Sequence, residues 1–386
     1  MLSLRTMLDK VLLAPYYWTL KLRHALYNRG IFKVQKCEVP TICIGNITAG
    51  GTGKTPHTEM IVRTLLSSAD WRDKHIAVLS RGHKRTSSGF QQVLADDSAT
   101  FAGDEPLQIK NKFPEVTVSV ERTRVEGCDF LLPPEKLATS KAARKCVHKD
   151  MKRAEIVVLD DAFQYRSLEA FFNIVLVDYN RPVSKDHLLP FGRLRDLPER
   201  LYHANVIIVT KCPVFMDDWE KITWAKSLGI MNFDPESCQG VDPLGKKMTV
   251  LFTTIDYCPL EPVFPVNDKH YLYSKNLILV SGIASDTPLK RYLSDSYCIV
   301  KHFKFSDHHN FTGLDIKRIR QATRRWSTAV IGTTEKDSQR LRGCRKIDDT
   351  LKNRMFQIPI QVDFLSDHEK DVFNETLLGA LREFGK

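Results

Sequence analysis

The sequence lacks the features that would set it apart from ordinary globular chains. Neither Gly (19) nor Pro (18) is enriched among its 386 residues, and no segment is repeated or low in complexity, which excludes collagen-like, solenoid and disordered architectures. Long hydrophobic runs are missing as well. The longest near the start, residues 11–20, is about half of what a membrane-crossing helix needs. No small-residue cleavage site comes after it, which argues against a cleaved signal peptide. Cysteine is present but unpatterned: Cys37, Cys43, Cys128, Cys146, Cys212, Cys238, Cys258, Cys298 and Cys344 are odd in number, and no two have the close spacing of a zinc or redox motif. Several, such as Cys43 and Cys298, lie in apolar strand-like runs and read as buried thiols, pointing to a reducing compartment. Acidic residues are in deficit, 46 against 57 Lys and Arg. The resulting net charge of +11 favours a polyanionic partner (nucleic acid, anionic lipid or a phosphorylated substrate) or serves solubility alone.

What is present begins with the amino terminus. Arg5, Lys10, Lys21, Arg23 and Arg29 surround the apolar stretch, Asp9 is the sole acid before Phe32, and Tyr16, Tyr17 and Trp18 cluster within it. Apolar and aromatic residues with flanking cations describe a helix lying in a bilayer interface. A helix packed on its own domain has the same composition, so both readings stand. Pro15 implies a kink or two short helices.

Beyond this segment, short apolar runs alternate with helix-length stretches. Strands are expected at residues 41–44, 75–79, 116–120, 155–159, 173–177 and 205–209, most of them continuously apolar, as buried parallel strands are. Interleaved helices make βαβ units, hence a doubly wound, mostly parallel α/β domain. Residues 216–245 are less regular and contain Asp-Pro twice, which reads as a junction. Further strands at 250–255, 277–280, 297–303, 329–331 and 356–362 predict a second, smaller α/β domain. The expected organisation is a membrane-contacting helical segment over 1–32, a phosphate-loop domain over 33–245 and the second domain over 246–386.

The strongest motif is residues 45–56, GNITAGGTGKTP, between a strand and a helical stretch. Gly50, Gly51 and Gly53 let the backbone curl so that its N–H groups, from Thr48 and Ala49 through Thr52 to Thr55, converge on an anion. The helix after the loop adds the positive end of its dipole. Lys54 neutralises phosphate charge and the Thr55 hydroxyl is a Mg²⁺ ligand. Thr48 occupies the position where the usual pattern has its first Gly, so a generic motif scan misses the loop. The competing reading is a Gly-rich strand–helix turn. A second metal anchor is expected at the end of a buried strand, and the run 155–161, EIVVLDD, supplies Asp160 and Asp161, one of which is open to service as a helix cap. Thr210-Lys211, ending another strand, resembles a base-contacting turn. Lys211 is succeeded by Cys212 and Pro213, so the Asp that reads guanine is absent.

Together with stretches farther along the chain, this loop resembles the tetraacyldisaccharide 4'-kinase family. Residues 79–82 (LSRG), 103–106 (GDEP), 160–164 (DDAFQ), 188–195 (LLPFGRLR), 281–284 (SGIA), 307–311 (DHHNF) and 334–337 (TEKD) are family-like and occur in the family's order. The resemblance implies ATP and Mg²⁺ as cofactors and transfer of the γ-phosphate to the 4'-hydroxyl of an acylated glucosamine disaccharide 1-phosphate. It also implies a cytoplasmic-face inner-membrane setting with an anionic membrane surface as partner, and two α/β domains with the active site between them. It points to Asp104 as base, working with His308; the carboxylate orients the imidazole, or the imidazole tunes the carboxylate. From the residues alone, Asp104 reads as a helix cap, and His309 competes with His308. Arg81, Arg124, Arg195 and Asp196 are candidate substrate or phosphate contacts, against a reading as ordinary surface or structural charges. The chain departs from the family at Tyr165, where His is expected, at Asp196, where Glu is expected, and in a lysine-rich insertion over 133–152. The role of 335–337 is not assignable from sequence, and a single-copy protein is expected. The rival functions are a P-loop kinase or ATPase acting on another anionic substrate, a GTPase-like switch, a nucleic-acid-dependent ATPase and a scaffold with a dead loop. Dispersed basic residues without a recognition motif argue against nucleic acid. Intact Lys54, Thr55, Asp160 and Asp161 argue against a dead loop.

Overall fold

The computed structural model describes residues 4–265, 270–283 and 285–385. Ala284 of the 281–284 stretch lies outside the described residues, as do the side chains of Arg5, Asp9 and Lys10. The chain forms two compact units, each discontinuous in sequence: one holds the described residues up to Arg81, Glu121–Ile255 and those from Val362 onward, the other Gly82–Val120 and Asp256–Gln361. The boundary expected at 245–246 coincides with neither. The segment 216–245, expected to be a junction, instead forms a helix, Asp218–Ser227, and two strands within the first unit.

The first unit is built on strands β1 (Thr41–Gly45), β2 (Ile76–Ser80), β3 (Ile156–Asp160), β4 (Phe172–Asp178), β5 (Val206–Thr210), β6 (Met231–Asp234), β7 (Gln239–Val241) and β8 (Lys247–Tyr257). Their spatial order is β6-β7-β8-β5-β4-β1-β3-β2, parallel from β8 to β2. Every residue of β1, β2, β3 and β5 is buried, which explains runs such as IVVL that do not alternate. From the central β1 the chain crosses to one side for β2 and β3 and to the other for β4 and β5. The order therefore reverses beside β1, the place where open α/β sheets bind ligands.

Helix α1 (Leu4–Asn28) runs unbroken through Pro15, which replaces the expectation of two short helices. Leu13, Leu20 and His24, spaced along one stripe, are buried. The Tyr16 hydroxyl donates to the Arg195 carbonyl at 3.2 Å, and Tyr27 Oη lies 2.9 Å from Ser167 Oγ. The opposite face leaves Trp18 and Leu22 more than 60 % exposed, with the Lys21 ammonium 4.9 Å from the Tyr17 ring. Packing and an open apolar face, posed as alternatives from sequence, thus occupy opposite sides of one helix. Among the described residues no helix is long and apolar enough to cross a membrane.

In the second unit, β9 (Asn276–Ser281), β10 (Cys298–Lys304), β11 (Val330–Thr334) and β12 (Met355–Ile358) form a parallel sheet in the order β12-β11-β9-β10, edged by Glu261–Pro262. Alternate residues serve opposite faces: Leu277 and Leu279 pack with Leu289 and Leu293, whereas Val280 joins Ile316 and Ile319. The strand expected over 356–362 is broken into Met355–Ile358 and Ile360–Phe364 by Pro359, which has no N–H to donate. Cys298, expected to be buried, is exposed at the start of edge strand β10, while Cys43 is buried as expected. Residues 82–120 belong here through α3 (Asp104–Lys112), which packs on α4 (Glu335–Arg342): Asn111 donates to Gln339 at 2.7 Å and Lys112 pairs with Glu335 at 3.0 Å.

The carboxyl-terminal helix Asp367–Arg382 returns to the first unit. Its Glu369 is buried, takes the Phe252 N–H at 2.7 Å and pairs with Lys221 at 2.6 Å. Removing one partner of a buried pair strands the other charge. Glu369→Ala is therefore expected to lower unfolding free energy by about 3 kcal/mol, read as an earlier midpoint in chemical denaturation. Lys221→Met, which leaves the carboxylate its backbone donor, should cost less.

Candidate functional site

The phosphate loop begins at the end of β1 and closes on helix α2 (Lys54–Ser67). Gly50 (φ 121°) and Gly53 (φ 83°) hold backbone conformations that a side chain would strain. The loop is braced from beneath. Asn46 donates to Thr52 Oγ1 at 2.8 Å, Thr210 Oγ1 donates to the Thr52 carbonyl at 3.0 Å, and the Ala49 N–H donates to the Arg193 carbonyl at 2.6 Å. Lys211, whose turn resembles a base-contacting one in sequence, is occupied otherwise: its ammonium donates to the Gly51 carbonyl and pairs with Asp178 at 2.6 Å. His57, one turn into α2, is fully buried between the Gly53 carbonyl (2.7 Å) and Thr253 Oγ1 (3.1 Å). Burial is the main cause that pushes its pKa down to about 4, so the imidazole is neutral.

Parallel pairing sets Ile44 opposite Asp160, so the carboxylates at the end of β3 stand beside the start of the loop. Their environments differ. Asp160 is buried, accepting from Ser80 Oγ at 3.0 Å and from Thr58 Oγ1 at 3.4 Å. Asp161 sits in the left-handed region (φ 49°) with its carboxylate one-third exposed, 3.7 Å from Lys54 Nζ and 3.3 Å from Arg195. Burial opposes ionisation of Asp161, but Lys54, Arg195 and Arg124 together outweigh it and hold its pKa below the ordinary range. Neither carboxylate caps a helix by hydrogen bond, the alternative open from sequence. Among the described residues no group of three or more His, Cys, Asp or Glu side chains is placed to enclose a metal. The oxygen donors Thr55, Asp160 and Asp161 suit Mg²⁺, which takes most of its ligands from water and phosphate.

The candidate arginines separate by burial. Arg195 donates to Asn46 Oδ1 at 2.5 Å and to Asp161, which places it in the loop's own network. Arg124 is 2 % exposed, and its terminal nitrogens donate to the carbonyls of Glu121 (2.5 Å), Asp160 (2.9 Å) and Asp161 (3.3 Å), pinning the turn that presents the carboxylates. Asp196 is 1 % exposed and held by His24, so it too faces the interior. Arg81 is exposed at the end of β2. Asn46, which joins Arg195 to Thr52, was not singled out from sequence; its position within the loop motif, directly after the strand, is the signal that marks it.

The second unit carries Asp104 and His308. Gly103 (φ 97°) is the N-cap of α3, so Asp104 is the first helical residue rather than the cap. Asp104 is buried and accepts from His308 Nδ1 at 2.7 Å and from Arg340 Nη2 at 2.9 Å, and Arg340 Nε lies 2.6 Å from its Oδ1 as an ion pair. His308 is thereby distinguished from His309, which bonds Asp315 at 3.0 Å and stacks on Phe305. The TEKD stretch, to which the sequence assigned no role, is the hub of this cluster. Glu335 holds Lys112 of α3, Lys336 reaches His308 Nε2 at 3.1 Å and Asp307 at 3.0 Å, and Asp337 takes the Gly282 N–H at 2.8 Å. Lys336 and Arg340 lie four residues apart, on one face of α4, and both turn toward the Asp104–His308 pair.

A strand–loop–helix phosphate cradle with paired carboxylates at the reversal point of a parallel sheet defines a P-loop nucleotide-binding protein of kinase type. The family model described as "Tetraacyldisaccharide-1-P 4'-kinase" matches residues 6–382, and the chain belongs to that family. A tetraacyldisaccharide 4'-kinase of Phocaeicola vulgatus is 36% identical over 368 residues, covering 94% of this chain and 91% of the relative. One of Parabacteroides distasonis is 36% identical over 393 residues, covering 98% and 96%. The fold is similar to a crystal structure of LpxK from Aquifex aeolicus in complex with ATP, with a TM-score of 0.65, 22% identity, and coverage of 96% of this chain and 99% of that one.

The depressed pKa of His57 makes stability depend on pH. Unfolded His57 takes up a proton near pH 6.5, whereas folded His57 resists protonation down to about pH 4. Its neutral burial thus supports the fold above pH 6.5 and loses that support as the pH falls toward 4. The loss is about 1.4 kcal/mol per pH unit in that window. Denaturation curves at pH 7 and pH 5 should separate in the wild type and converge in His57→Gln.

Proposed function

We infer that this chain is an ATP-dependent kinase of lipid A biosynthesis, which transfers the γ-phosphate of ATP to the 4'-hydroxyl of a tetraacylated glucosamine disaccharide 1-phosphate. Family membership over residues 6–382 carries this reading, and the braced loop with Lys54 beside Asp161 supports it. The N–H groups of the loop between Thr48 and Thr55, apart from those of Ala49 and Thr52, which the Arg193 and Gly50 carbonyls take, bind the phosphates together with the start of α2, and Lys54 offsets the charge that spreads over the transferred group. Thr55 and Asp161 would hold Mg²⁺, with Asp160, anchored by the Ser80 and Thr58 hydroxyls, as the neighbouring carboxylate. The ion, when bound, neutralises phosphate oxygen charge. Arg195 positions Asp161, and Arg81 is the exposed arginine available to a phosphorylated substrate.

A sugar hydroxyl must lose its proton as it attacks phosphorus, and His308 is the acceptor. Lys336 can only donate, so Nε2 of His308 carries the lone pair and Nδ1–H points to Asp104. Asp104, held between Arg340 and His308 Nδ1, is fixed as an orienter, which favours the carboxylate-orients-imidazole alternative. The substrate hydroxyl takes the place of the Lys336 ammonium on Nε2, passes its proton there, and the imidazolium is stabilised by Asp104. The open Trp18–Leu22 face of α1, with Lys21 and the net charge of +11, suits peripheral attachment of a single copy to the anionic cytoplasmic face of the inner membrane.

Purified protein incubated with radiolabelled ATP, Mg²⁺ and the tetraacyl disaccharide 1-phosphate in detergent should yield labelled lipid, and Lys54→Ala should not. Hydrolysis of ATP without labelled lipid would retain the loop reading and sink the substrate. His308→Ala is expected to lower kcat by about 10²–10⁴-fold, with the Michaelis constant for ATP nearly unchanged. A loss below tenfold would remove His308 as acceptor. Co-sedimentation with vesicles should increase with their anionic lipid fraction and fall with salt; binding indifferent to both would count against the membrane face.

A further inference from the structure

The buried face of α1 holds the segment that carries Arg195. His24 Nε2 lies 2.6 Å from Asp196 Oδ1, and Arg166 approaches His24 Nδ1 at 3.0 Å. A guanidinium has no acceptor, so Nδ1 must receive and Nε2 must carry the proton given to Asp196. The neutral tautomer is thereby fixed. Asp196 also takes the Leu197 N–H at 2.8 Å and lies 3.7 Å from Arg200. Burial alone would raise the Asp196 carboxyl, but His24 above all, with the Leu197 N–H and Arg200, brings it below its ordinary value. Arg166 is anchored in turn to α1, on the His24 carbonyl (3.2 Å) and on Asn28 (2.7 Å).

The adjacent residue, Arg195, is held at every polar atom of its backbone. Its N–H donates to the Ile47 carbonyl at 2.8 Å and its carbonyl accepts from Tyr16 of α1. Its guanidinium lies on Asn46 and Asp161. An unbroken series of contacts therefore runs from α1 through His24 and Asp196 to Arg195, Asp161 and Lys54.

We propose that His24 is a positioning residue for phosphoryl transfer: through Asp196 it makes the seating of α1 on the first unit set the placement of Arg195 and Asp161 at the phosphate loop. Helix α1 thus has two functions on two faces. The Trp18–Leu22 face meets lipid, and the His24 face transmits the seating of the helix to the site. This rests on the roles proposed above for Lys54 and Asp161.

The test is steady-state kinetics of the full-length protein on the disaccharide lipid in mixed micelles, with kcat and both Michaelis constants measured for each variant. His24→Ala should lower kcat about tenfold or more, since small displacements of a positioned group cost that much, while the Michaelis constant for the lipid moves less than twofold. His24→Gln, which can present an N–H near the position of Nε2, should recover part of kcat. Trp18→Ala with Leu22→Ala should instead raise the Michaelis constant for the lipid. A His24→Ala protein with kcat within twofold of wild type, or one whose only defect lies in the lipid Michaelis constant, overturns the proposal. So does a His24→Gln protein that melts like wild type yet is as slow as His24→Ala. If His24→Ala does not fold, the near-isosteric Asp196→Asn carries the same expectation and the same refutation. Full activity in Lys54→Ala would instead overturn the loop assignment beneath it.

Discussion

The parallel pairing of β1 with β3 is the constraint on which the site depends. It sets Ile44 beside Asp160 and so delivers the Gly-rich loop and two carboxylates to one edge of the sheet. Everything nearby maintains that adjacency. Arg124 is buried at the cost of desolvation in order to tie the carbonyls of Asp160 and Asp161. Arg195 closes the other side on Asn46 and Asp161. Two guanidiniums and one ammonium around one turn would repel each other were it not for the carboxylates they share, so the cluster holds only as a whole.

The second unit obeys a comparable logic with different parts. Helix α4 issues from β11 and sends alternate pairs of side chains to different neighbours: Glu335 and Gln339 to α3, Lys336 and Arg340 to His308 and Asp104. The helix acts as a template that determines the distance between an imidazole and a carboxylate far apart in sequence. His308 itself adopts a left-handed backbone (φ 62°), an uncommon conformation for a side chain of its size, sustained by Asp104 on one nitrogen and Lys336 on the other.

Much of this was legible in the sequence. Continuous apolar runs identified the parallel strands, and Gly-Lys-Thr between a strand and a helix identified the loop, because both depend on local residue chemistry. The carboxylates after IVVL came from the same reasoning. What was not legible depends on pairing across long separations. Nothing local at Asp104 distinguishes a helix cap from a residue clasped by Arg340, 236 positions later. Lys211 has the sequence of a base-contacting turn, and only the fold shows its ammonium under Gly51. The linear reading of domains met the same difficulty: residues 82–120 continue the first α/β pattern as far as their expected strand, Thr117–Val120, yet they cluster with 256–361 through helix contacts, such as Asn111 with Gln339, that no periodicity encodes.

That interleaving has a consequence for how the chain is made. The chain leaves the first unit at Arg81 and rejoins it at Glu121, where the Glu121 N–H meets the Ser80 carbonyl at 3.0 Å, so the excursion begins and ends at one closed neck. The first unit is completed by the final helix, whose Arg382 meets Asp70 and whose neighbour Phe384 meets Phe171. A nascent polypeptide emerging from the ribosome therefore cannot finish either unit until nearly all of it has been translated. Its early apolar strands stay incompletely covered until those later partners are made.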